Sequence, residues 1–343
     1  METLISSLDA QHTYPILHAS DIAAARRAGQ KLALALGFDE TRAATLALIV
    51  TEAGTNLLKH AGEGVLYLNV SQAEGVPGID VLAVDSGPGI ADIDACLRDG
   101  VSTAGTAGTG LGALRRLSDE FDVYSHPGAG ALFHMRLWRD AAAPGLCRVE
   151  VGAITVPLAG EDECGDAWGL ACDGGGATLL AADGLGHGPE AAVASKAAVG
   201  ELAHRPSAEP AALVAAAHEA LRVTRGAALA CARIDFGADS VRFAGVGNIG
   251  AYVIDGESRR ALVSHNGIVG HNMRKVQEFS VPCPPGALVI LHSDGIQTQW
   301  NLDKYPGLLA HSPALIAAML MRDFIRRRDD AMVLVVRRLH GLS

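Results

Sequence analysis

No apolar run in this sequence approaches the length needed to cross a bilayer, so we expect no membrane-spanning segment. The start, METLISSLDAQ, lacks the basic and apolar stretches of a secretory signal peptide. Aromatic residues make up only 4% of the chain, so the cores must be built mainly from Ala, Leu and Val. These absences predict a cytoplasmic protein with no membrane partner.

Cysteine pairing and a basic surplus are also missing. The six cysteines contain no C-x-x-C pair, which indicates reduced, mostly buried thiols and neither a disulfide framework nor a zinc site. The formal net charge is -10, whereas a surface that follows nucleic-acid phosphates needs an excess of Lys and Arg. We therefore expect no nucleic-acid partner.

The length of 343 residues exceeds one comfortable core and fits two domains. The stretch DAAAPG, residues 140–145, combines small residues with a Pro-Gly pair, as a linker does. We expect domains at residues 1–140 and 147–343, joined by a linker at residues 141–146. In the second domain strand-like runs outnumber helices, which predicts stacked antiparallel sheets with flanking helices.

A carboxylate and an amide lie four residues apart in a predicted helix of the first domain. Glu52 and Asn56 therefore share one helix face. Such a carboxylate can polarise a hydroxyl or a water, and the amide oxygen can bind Mg²⁺. Taken alone, the pair is better explained as a solvated Glu beside a buried Asn.

An aspartate then ends a strand in the segment VDSGPGI. Asp85 at this point can accept a hydrogen bond from an adenine amino group. Gly87 and Gly89 would let the backbone approach the base. The alternative is a plain strand-to-helix turn, which Asp and Gly also favour.

A glycine-rich loop leads into the next predicted helix, and glycine amides at a helix N-terminus suit phosphate groups. Ser102 and Thr103, in the preceding small-residue stretch, could close over a triphosphate as a lid. A single loop of this kind is weak evidence. The loop consists of Gly108, Thr109, Gly110, Leu111 and Gly112.

In the second domain, acidic residues recur at the ends of predicted strands. Carboxylates gathered at one end of a sheet sandwich are suitable ligands for Mg²⁺ or Mn²⁺. Two such ions, about 3.5–4 Å apart, can generate hydroxide and clamp a phosphoryl group. The alternative is that the Asp-Gly pairs simply make turns. The acidic positions are Asp166, Asp183, Asp294, Asp329 and Asp330.

In order along the chain, TEAGTN, VDSGPGI and DGVSTAGTAGTGLGALRRLSDEF resemble the N, G1 and G2 boxes of the GHKL ATPases. The likeness spans roughly residues 10–138 and is greatest to the anti-sigma-factor serine kinases of the stressosome switch-kinase type. It implies a Bergerat-type α/β sandwich with a mixed sheet that binds Mg-ATP. Glu52 would be the catalytic base, Asn56 would hold Mg²⁺, Asp85 would read adenine and residues 108–112 would contact phosphate.

The segment ADGLGHG, with CGDAW, GVGNIGAYV, NGIVG, SDGI and RDDAMVLVV, resembles the SpoIIE-type serine phosphatases of the PPM superfamily. This likeness spans roughly residues 147–338 and implies an αββα sandwich with bound Mg²⁺ or Mn²⁺. Asp183 would bridge the two ions. The implied metal ligands are Asp166, Asp183, the Gly184 carbonyl, Asp294 and Asp329.

Three details of this second likeness stay open. Asp330 could replace Asp329 as a ligand if the register shifts by one residue. Met332 stands where the family usually has threonine. His187 could act near the leaving group or could hydrogen-bond its own turn, and the sequence favours neither.

The two resemblances together imply a bifunctional partner-switching regulator. One domain would phosphorylate, and the other dephosphorylate, a Ser or Thr of a STAS-domain (anti-anti-sigma-like) protein. The alternatives are a phosphatase whose ATP domain only senses nucleotide, or a non-enzymatic anti-sigma scaffold. The sequence does not fix the oligomeric state, and a homodimer is compatible with it.

Overall fold

The computed structural model describes residues 3–7, 11–73, 75–97, 110–140, 148–273 and 276–340. Within these ranges the backbone forms the following strands: β1 Thr3–Ser6, β2 Gln11–Ile16, β3 Gly64–Ala73, β4 Val76–Val84, β5 Glu120–Ser125, β6 Ala131–Trp138, β7 Val149–Val156, β8 Asp166–Cys172, β9 Gly176–Gly184, β10 Ala227–Asp235, β11 Ser240–Val246, β12 Gly250–Asp255, β13 Ser258–Ala261, β14 Phe279–Pro282, β15 Leu288–His292 and β16 Ala331–Arg338.

The α-helices of the same ranges are α1 Ala19–Ala35, α2 Glu40–Asn56, α3 Ile93–Leu97, α4 Gly110–Leu117, α5 Gly188–His204, α6 Pro210–Ala220 and α7 Pro313–Phe324. A π-helical turn, Leu57–Ala61, continues α2, and short 3₁₀ turns lie at Leu221–Val223, Leu302–Lys304 and Leu308–Ala310. None of the helices in the described ranges combines the length and apolar character needed to span a membrane.

The chain divides into two compact units, and each contains one segment that is distant in sequence. One unit, here called the ATPase unit after the family that its sequence resembles, contains residues 10–145 and 302–318. The other, here called the phosphatase unit for the same reason, contains residues 1–9, 146–301 and 319–343. The predicted boundaries assign residues 1–9 and 302–318 to the opposite units. The difference for residues 1–9 has a simple cause, since β1 pairs antiparallel with β8 and Ile5 is buried in that core.

The ATPase unit is a five-stranded sheet of order β2-β3-β4-β6-β5, and α1 and α2 pack on it. All of its described pairings are antiparallel, so the α/β sandwich is confirmed but the predicted mixed sheet is not. Two of these pairings, β3–β4 and β5–β6, are hairpins, and hairpins join antiparallel strands.

Helix α2 carries the first candidate residues, and its packing determines where they point. Asp39 caps the helix, because its carboxylate accepts a hydrogen bond from the Arg42 amide at 2.7 Å. A buried stripe at helical spacing faces the sheet, made of Leu46, Ile49, Val50 and Ala53. The partly exposed side of the same helix therefore presents Glu52 and Asn56.

The phosphatase unit stacks two antiparallel sheets, of orders β1-β8-β9-β10-β11-β14 and β13-β12-β15-β16-β7. One hydrophobic core contains side chains from both sheets, including Trp168, Phe243 and Leu334. A second core is formed where α5 and α6 pack on the first sheet. The predicted stacked-sheet architecture with flanking helices is confirmed.

We predict that Ile5→Ala destabilises the phosphatase unit by about 2 kcal/mol, because it empties a buried site between β1 and the core. Native-state hydrogen exchange of β8 and β9 amides measures this loss, whereas β3 and β4 amides in the other unit should not change. The matched control is Val223→Ala, since Val223 is 93% exposed. Equal exchange in wild type and Ile5→Ala would contradict the account of β1.

Candidate nucleotide and metal sites

A cavity of about 420 Å³ lies beside α2 and the end of β4 in the ATPase unit. Four of the residues predicted from the sequence line it, namely Asn56, Asp85, Gly89 and Leu111. Glu52 is half-buried one helical turn before Asn56 and is not among the described lining residues. Ser102, Thr103, Gly108 and Thr109 lie outside the described residues.

Asp85 is held rigidly at the base of this cavity. Its side chain is nearly buried, and Oδ1 accepts hydrogen bonds from the Gly87 amide at 2.8 Å and the Ala131 amide at 3.1 Å. The Asp85 amide in turn donates to the Ala131 carbonyl at 3.0 Å. A carboxylate fixed by two backbone donors is preorganised to recognise a ligand without further ordering cost.

The glycines after Asp85 serve the protein's own packing. A Cβ at Gly89 would lie 2.0 Å from the His126 carbonyl oxygen, and the backbone there has φ +73°, so only glycine fits. A Cβ at Gly87 would lie 2.6 Å from the Ala61 Cβ. Close contacts with Ala61 and His126 thus require glycine at both positions, and the role of these glycines in making room for the base stays a prediction.

Asn56 has a buried polar atom that calls for a partner. Its Nδ2 makes no hydrogen bond within the described structure, although it lies at the cavity. A Cβ on Gly110 would stand 3.1 Å from the Asn56 Oδ1, so a side chain there would crowd the amide. Gly112 is buried in the same helix, α4. An unsatisfied buried amide is costly, and a bound ligand or its hydration would relieve that cost.

In the phosphatase unit, strand pairing brings the first two predicted metal ligands together. Asp166 begins β8, and its partner in the β8–β9 register is Asp183. Asp294 follows β15 and Asp329 precedes β16, which is paired with β15. A second cavity, of about 450 Å³, is lined by Asp183, Asp294 and Asp329 among others.

The carboxylates of this second cavity repel one another. Burial, followed by repulsion from Asp294 and Asp329, raises the pKa of Asp183 to about 7. Burial also raises the pKa of Asp166 well above its ordinary value, and the neighbouring Asp183 adds to the shift. The Oδ2 atom of Asp166 is buried and makes no hydrogen bond in the described structure.

These features fit a divalent cation, since hard oxygen ligands and uncompensated negative charge are what Mg²⁺ and Mn²⁺ require. No three Asp, Glu, His or Cys side chains in the described residues are close enough to hold an ion as they stand. Asp183, Asp294 and Asp329 nevertheless line one cavity, and Asp166 is the strand partner of Asp183.

Asp330 is occupied by backbone donors and differs in this from Asp329. Its Oδ1 accepts from the Leu158 amide at 2.7 Å, and its Oδ2 accepts from the Gly165 amide at 2.8 Å. Asp330 is 2% exposed, whereas Asp329 lines the cavity. The geometry therefore favours Asp329 over Asp330 as a ligand.

Gly184 and His187 lie where β9 leads into α5. A Cβ on Gly184 would stand 2.1 Å from the Ala191 carbonyl oxygen, so only glycine allows α5 to pack this closely. His187 Nδ1 lies 2.6 Å from Glu161 Oε1, which gives the imidazole a local partner. No described contact supports a role for His187 at a leaving group.

Two polar residues of this site were missed in the sequence. Asn248 donates from Nδ2 to Asp294 Oδ2 at 2.7 Å and so orients that carboxylate, and Asn266 also lines the cavity. Both lie in segments, GVGNIGAYV and NGIVG, that carry the likeness to the SpoIIE-type phosphatases. An asparagine beside a glycine is common to both segments and was the available signal.

The position of Met332 is explained by its neighbours. The Met332 side chain is fully buried in the core between the sheets, and its amide donates to Ser293 Oγ at 2.9 Å. A hydrogen bond from Ser293 acts to lower the pKa of Asp166, against the larger effect of burial. Methionine thus occupies the position where threonine was expected, and its side chain contributes to the packing of the core.

Comparison with known proteins supports two families. Residues 17–137 match the family described as histidine kinase-like ATPase domain, and residues 173–339 match the family described as Stage II sporulation protein E (SpoIIE). The serine/threonine-protein kinase RsbT of Bacillus subtilis is 36% identical over 118 residues, which is 34% of this chain and 89% of RsbT.

Two solved structures are also similar. One, from work on the bacterial stressosome as a modular system adapted to control secondary messenger signalling, is 31% identical with a TM-score of 0.52. The likeness covers 56% of this chain and all of that one. The other contains the PP2C phosphatase domain and a regulatory-domain fragment of SpoIIE from Bacillus subtilis. It is 19% identical with a TM-score of 0.50, covers 95% of this chain and 94% of that one, and shows the fold alone.

We predict that Asp85→Asn weakens ATP binding at least about tenfold, the loss expected for one charge-assisted hydrogen bond. The new Asn can still accept from the Gly87 and Ala131 amides through its oxygen, so the loop should keep its shape. Its NH₂ group, itself a donor, would then face the amino group of adenine, which is also a donor. Calorimetric titration of the full chain measures the affinity, with exposed Asp140→Asn as control. Equal affinity in wild type and Asp85→Asn would remove Asp85 from the site.

We predict that Mn²⁺ affinity rises between pH 6 and pH 8, because a carboxyl whose pKa is about 7 must lose its proton to bind the ion. Asp183→Asn should abolish high-affinity binding. A carboxyl whose pKa is raised by folding destabilises the folded protein at every pH above the ordinary pKa of that carboxyl. The same variant should therefore stabilise the metal-free protein at pH 8. Calorimetry and thermal unfolding measure the two effects. A pH-independent affinity, or a lower melting temperature at pH 8, would contradict the site.

Proposed function

The chain belongs to the RsbT-related histidine kinase-like ATPases and carries a SpoIIE phosphatase domain in tandem, and we propose that it both adds and removes phosphate on a regulatory protein. The first domain would transfer the ATP γ-phosphate to a Ser or Thr. The second would hydrolyse a phosphoserine or phosphothreonine with Mg²⁺ or Mn²⁺. The observation that supports this best is the presence of both sites in one chain, each with its own cavity.

The phosphatase activity is proposed from the crowded carboxylates. Asp166, Asp183, Asp294 and Asp329, with the Gly184 carbonyl, would hold the ions. When bound, the ions would supply charge stabilisation for the phosphoryl group and an activated water at neutral pH. Asn248 would keep the Asp294 carboxylate in place through its hydrogen bond at 2.7 Å.

A nucleophilic role is disfavoured for three of the six cysteines by the environment of their thiols. Burial raises the pKa of the Cys164 and Cys231 thiols far above their ordinary value, and it raises the pKa of Cys283 to about 11. Thiols of this kind stay protonated at neutral pH, and the thiolate is the nucleophile. We therefore propose direct hydrolysis without a covalent phosphoenzyme.

The kinase activity is proposed from α2 and the cavity beside it. Asp85 would recognise adenine, and Asn56 would hold Mg²⁺ through its side-chain amide. Glu52, one turn earlier on the same face of α2, would accept the proton of the attacking hydroxyl. Residues 108–112, together with Ser102 and Thr103, would contact the triphosphate.

The partner is proposed as a small STAS-domain phosphoprotein, by analogy with the kinase and stressosome relatives. The need for ATP would place this activity in the cytoplasm. A homodimer stays a prediction. Each proposed site is built from residues of one chain, so neither site requires a second copy.

A second function deserves a test of its own, in which the ATPase unit senses nucleotide without transferring phosphate. The observation that favours it is the position of Glu52, which is not among the described residues that line the cavity. A sensor needs Asp85 and Asn56 but no general base.

We predict that Glu52→Ala lowers phosphate transfer by about 10²–10⁴-fold, the usual contribution of a general base, while ATP affinity is kept. The measurement is transfer of ³²P from γ-labelled ATP to candidate STAS proteins of the same genome. Asp183→Asn is the matched control, which should transfer phosphate normally but fail to release it.

Two further arms separate the alternatives. Release of ³²P should stop with EDTA, resume with Mn²⁺ and survive a thiol alkylator. A wild type that binds ATP but labels no partner would favour the sensor function. Loss of phosphate release on alkylation, but not on chelation, would overturn the metal-dependent assignment.

A further inference from the structure

Three consecutive arginines stand directly before Asp329, a proposed metal ligand of the phosphatase unit. They are Arg326, Arg327 and Arg328, and all three are exposed. Within the ranges that the structure describes, their guanidinium groups form no ion pair and no hydrogen bond. Each guanidinium of this arginine triplet therefore keeps all of its N–H donors for a ligand.

The backbone of the arginine triplet is fixed beside the metal cavity. The Arg326 amide donates to the Gly295 carbonyl at 2.8 Å, and Gly295 directly follows Asp294 in the chain. Asp294 and Asp329 both line the cavity of about 450 Å³. The triplet is therefore held at the rim of this cavity by a bond on one side and by the chain itself on the other.

The middle arginine of the triplet has an unfavourable backbone conformation. Arg327 has φ +57°, in the left-handed region that glycine adopts freely and that arginine adopts at a cost. The turn would therefore form at least as well with glycine at this position. Folding alone does not explain the arginine side chain, which is exposed and unpaired in the described structure.

A fourth exposed arginine is fixed near the end of β15. The Arg259 guanidinium carbon lies 3.6 Å from the centroid of the Trp300 ring and 4.2 Å from that of the Tyr252 ring. Its Nη1 donates to the Trp300 carbonyl at 2.7 Å. Trp300 Nε1 in turn donates to Nε2 of His292, the last residue of β15, at 3.0 Å. Contact with two rings holds this guanidinium in one position.

The charges of Arg259 and Arg326 act on the same strand end. Burial lowers the pKa of His292 to about 4, against a backbone hydrogen bond, and both arginine charges add to the lowering. Burial and then repulsion from Asp329 raise the pKa of Asp294, and the charge of Arg326 acts in the opposite direction. Both guanidinium groups therefore lie within electrostatic range of the metal cavity. We call Arg259 and the arginine triplet together the arginine surface.

The charge of the arginine surface is opposite to that of the chain as a whole. The formal net charge of the protein is -10, and a phosphorylated residue itself carries a charge of about -1.5 to -2 at neutral pH. At long range, a phosphorylated partner is therefore repelled. A local patch of positive charge beside a cleft offsets such repulsion and raises association rates by about 10–10³-fold. Guanidinium groups also match the geometry of carboxylates, which they bind through two parallel hydrogen bonds.

The distance that the arginine triplet can serve follows from its place in the chain. It occupies the three positions before Asp329, so its Cα atoms lie within about 11 Å of the Asp329 Cα. An extended peptide advances about 3.3 Å per residue. Residues about two to four positions from a phosphoserine in the cavity would therefore reach the guanidinium groups.

We propose that the arginine surface docks an acidic segment of the protein substrate, next to the phosphorylated residue. This rests on the proposed phosphatase function, for which it names the class of substrate. Carboxylates of the docked segment would bind the free guanidinium groups while the phosphate lies at the proposed ions. Nucleic acid is a poorer occupant, because the net negative charge of the chain opposes a long polyanion.

The test compares two phosphoserine peptides that differ only in their flanking residues, Glu in one and Gln in the other. With the full chain and Mn²⁺ at low ionic strength, kcat/KM should be at least about tenfold higher for the Glu peptide, the lower range of electrostatic steering. At about 1 M salt, where the Debye length is about 3 Å, the two values should come together. Equal values at low salt would overturn the proposal.

The main variant is Arg327→Gly combined with Arg328→Gln, because glycine suits the left-handed backbone and the turn should be kept. The ratio of the two kcat/KM values should fall towards one, through KM more than kcat, since docking precedes the chemistry. Arg328→Lys keeps the charge and should keep the ratio. The control is Arg205→Gln at the C-terminal end of α5, where Arg205 is paired with Glu201. A wild-type ratio in the double variant would overturn the proposal.

Fluorescence anisotropy of a labelled Glu peptide without phosphate gives a readout that needs no catalysis. If neither phosphopeptide is hydrolysed, but salt and the double variant both weaken this binding, the phosphatase function fails and the docking surface stands. Hydrolysis of both peptides at equal kcat/KM would keep the phosphatase function and overturn the docking. Sedimentation with phosphatidylserine vesicles tests the other anionic partner. Weaker vesicle binding in the double variant, with an unchanged peptide ratio, would indicate a membrane-docking surface and overturn the proposal.

Discussion

Repulsion among carboxylates at the ends of paired strands is the constraint on which the phosphatase unit depends. The β8–β9 register sets Asp166 opposite Asp183, and burial keeps solvent from screening their charges. Such an arrangement costs folding free energy unless protons or cations neutralise it. The raised pKa values and the unsatisfied Asp166 oxygen follow from the same geometry. A bound divalent cation would neutralise the repelling charges and would give the Asp166 oxygen a partner.

In the ATPase unit, the buried carboxylate of Asp80 is paired with side chains of the protein itself. Asp80 is buried on β4, where Arg136 and His134 of the adjacent strand β6 contact its carboxylate. Burial acts to raise the pKa of Asp80, but these two partners hold it far below its ordinary value. Glu120 pairs with the other side of the Arg136 guanidinium. The buried charge of Asp80 is therefore neutralised within the protein, whereas the crowded carboxylates of the phosphatase unit would be neutralised by the proposed cation.

Local pattern in the sequence predicted the parts that depend on local chemistry. The strand-end position of Asp183 and the shared helix face of Glu52 and Asn56 could be read directly, because each depends on a few adjacent residues. The choice between Asp329 and Asp330 could not, because it depends on backbone donors more than 140 residues away. The grouping of residues 1–9 with the phosphatase unit was equally invisible, since pairing between strands distant in sequence determines it.

Crystals of the protein grown with Mn²⁺ test the central claim most directly, because anomalous diffraction locates the ion without any assay of activity. The account predicts manganese between Asp166, Asp183, Asp294 and Asp329. It also predicts that Asp330 keeps its bonds to the Leu158 and Gly165 amides. Manganese bound elsewhere, or no manganese bound at these carboxylates, would contradict the account.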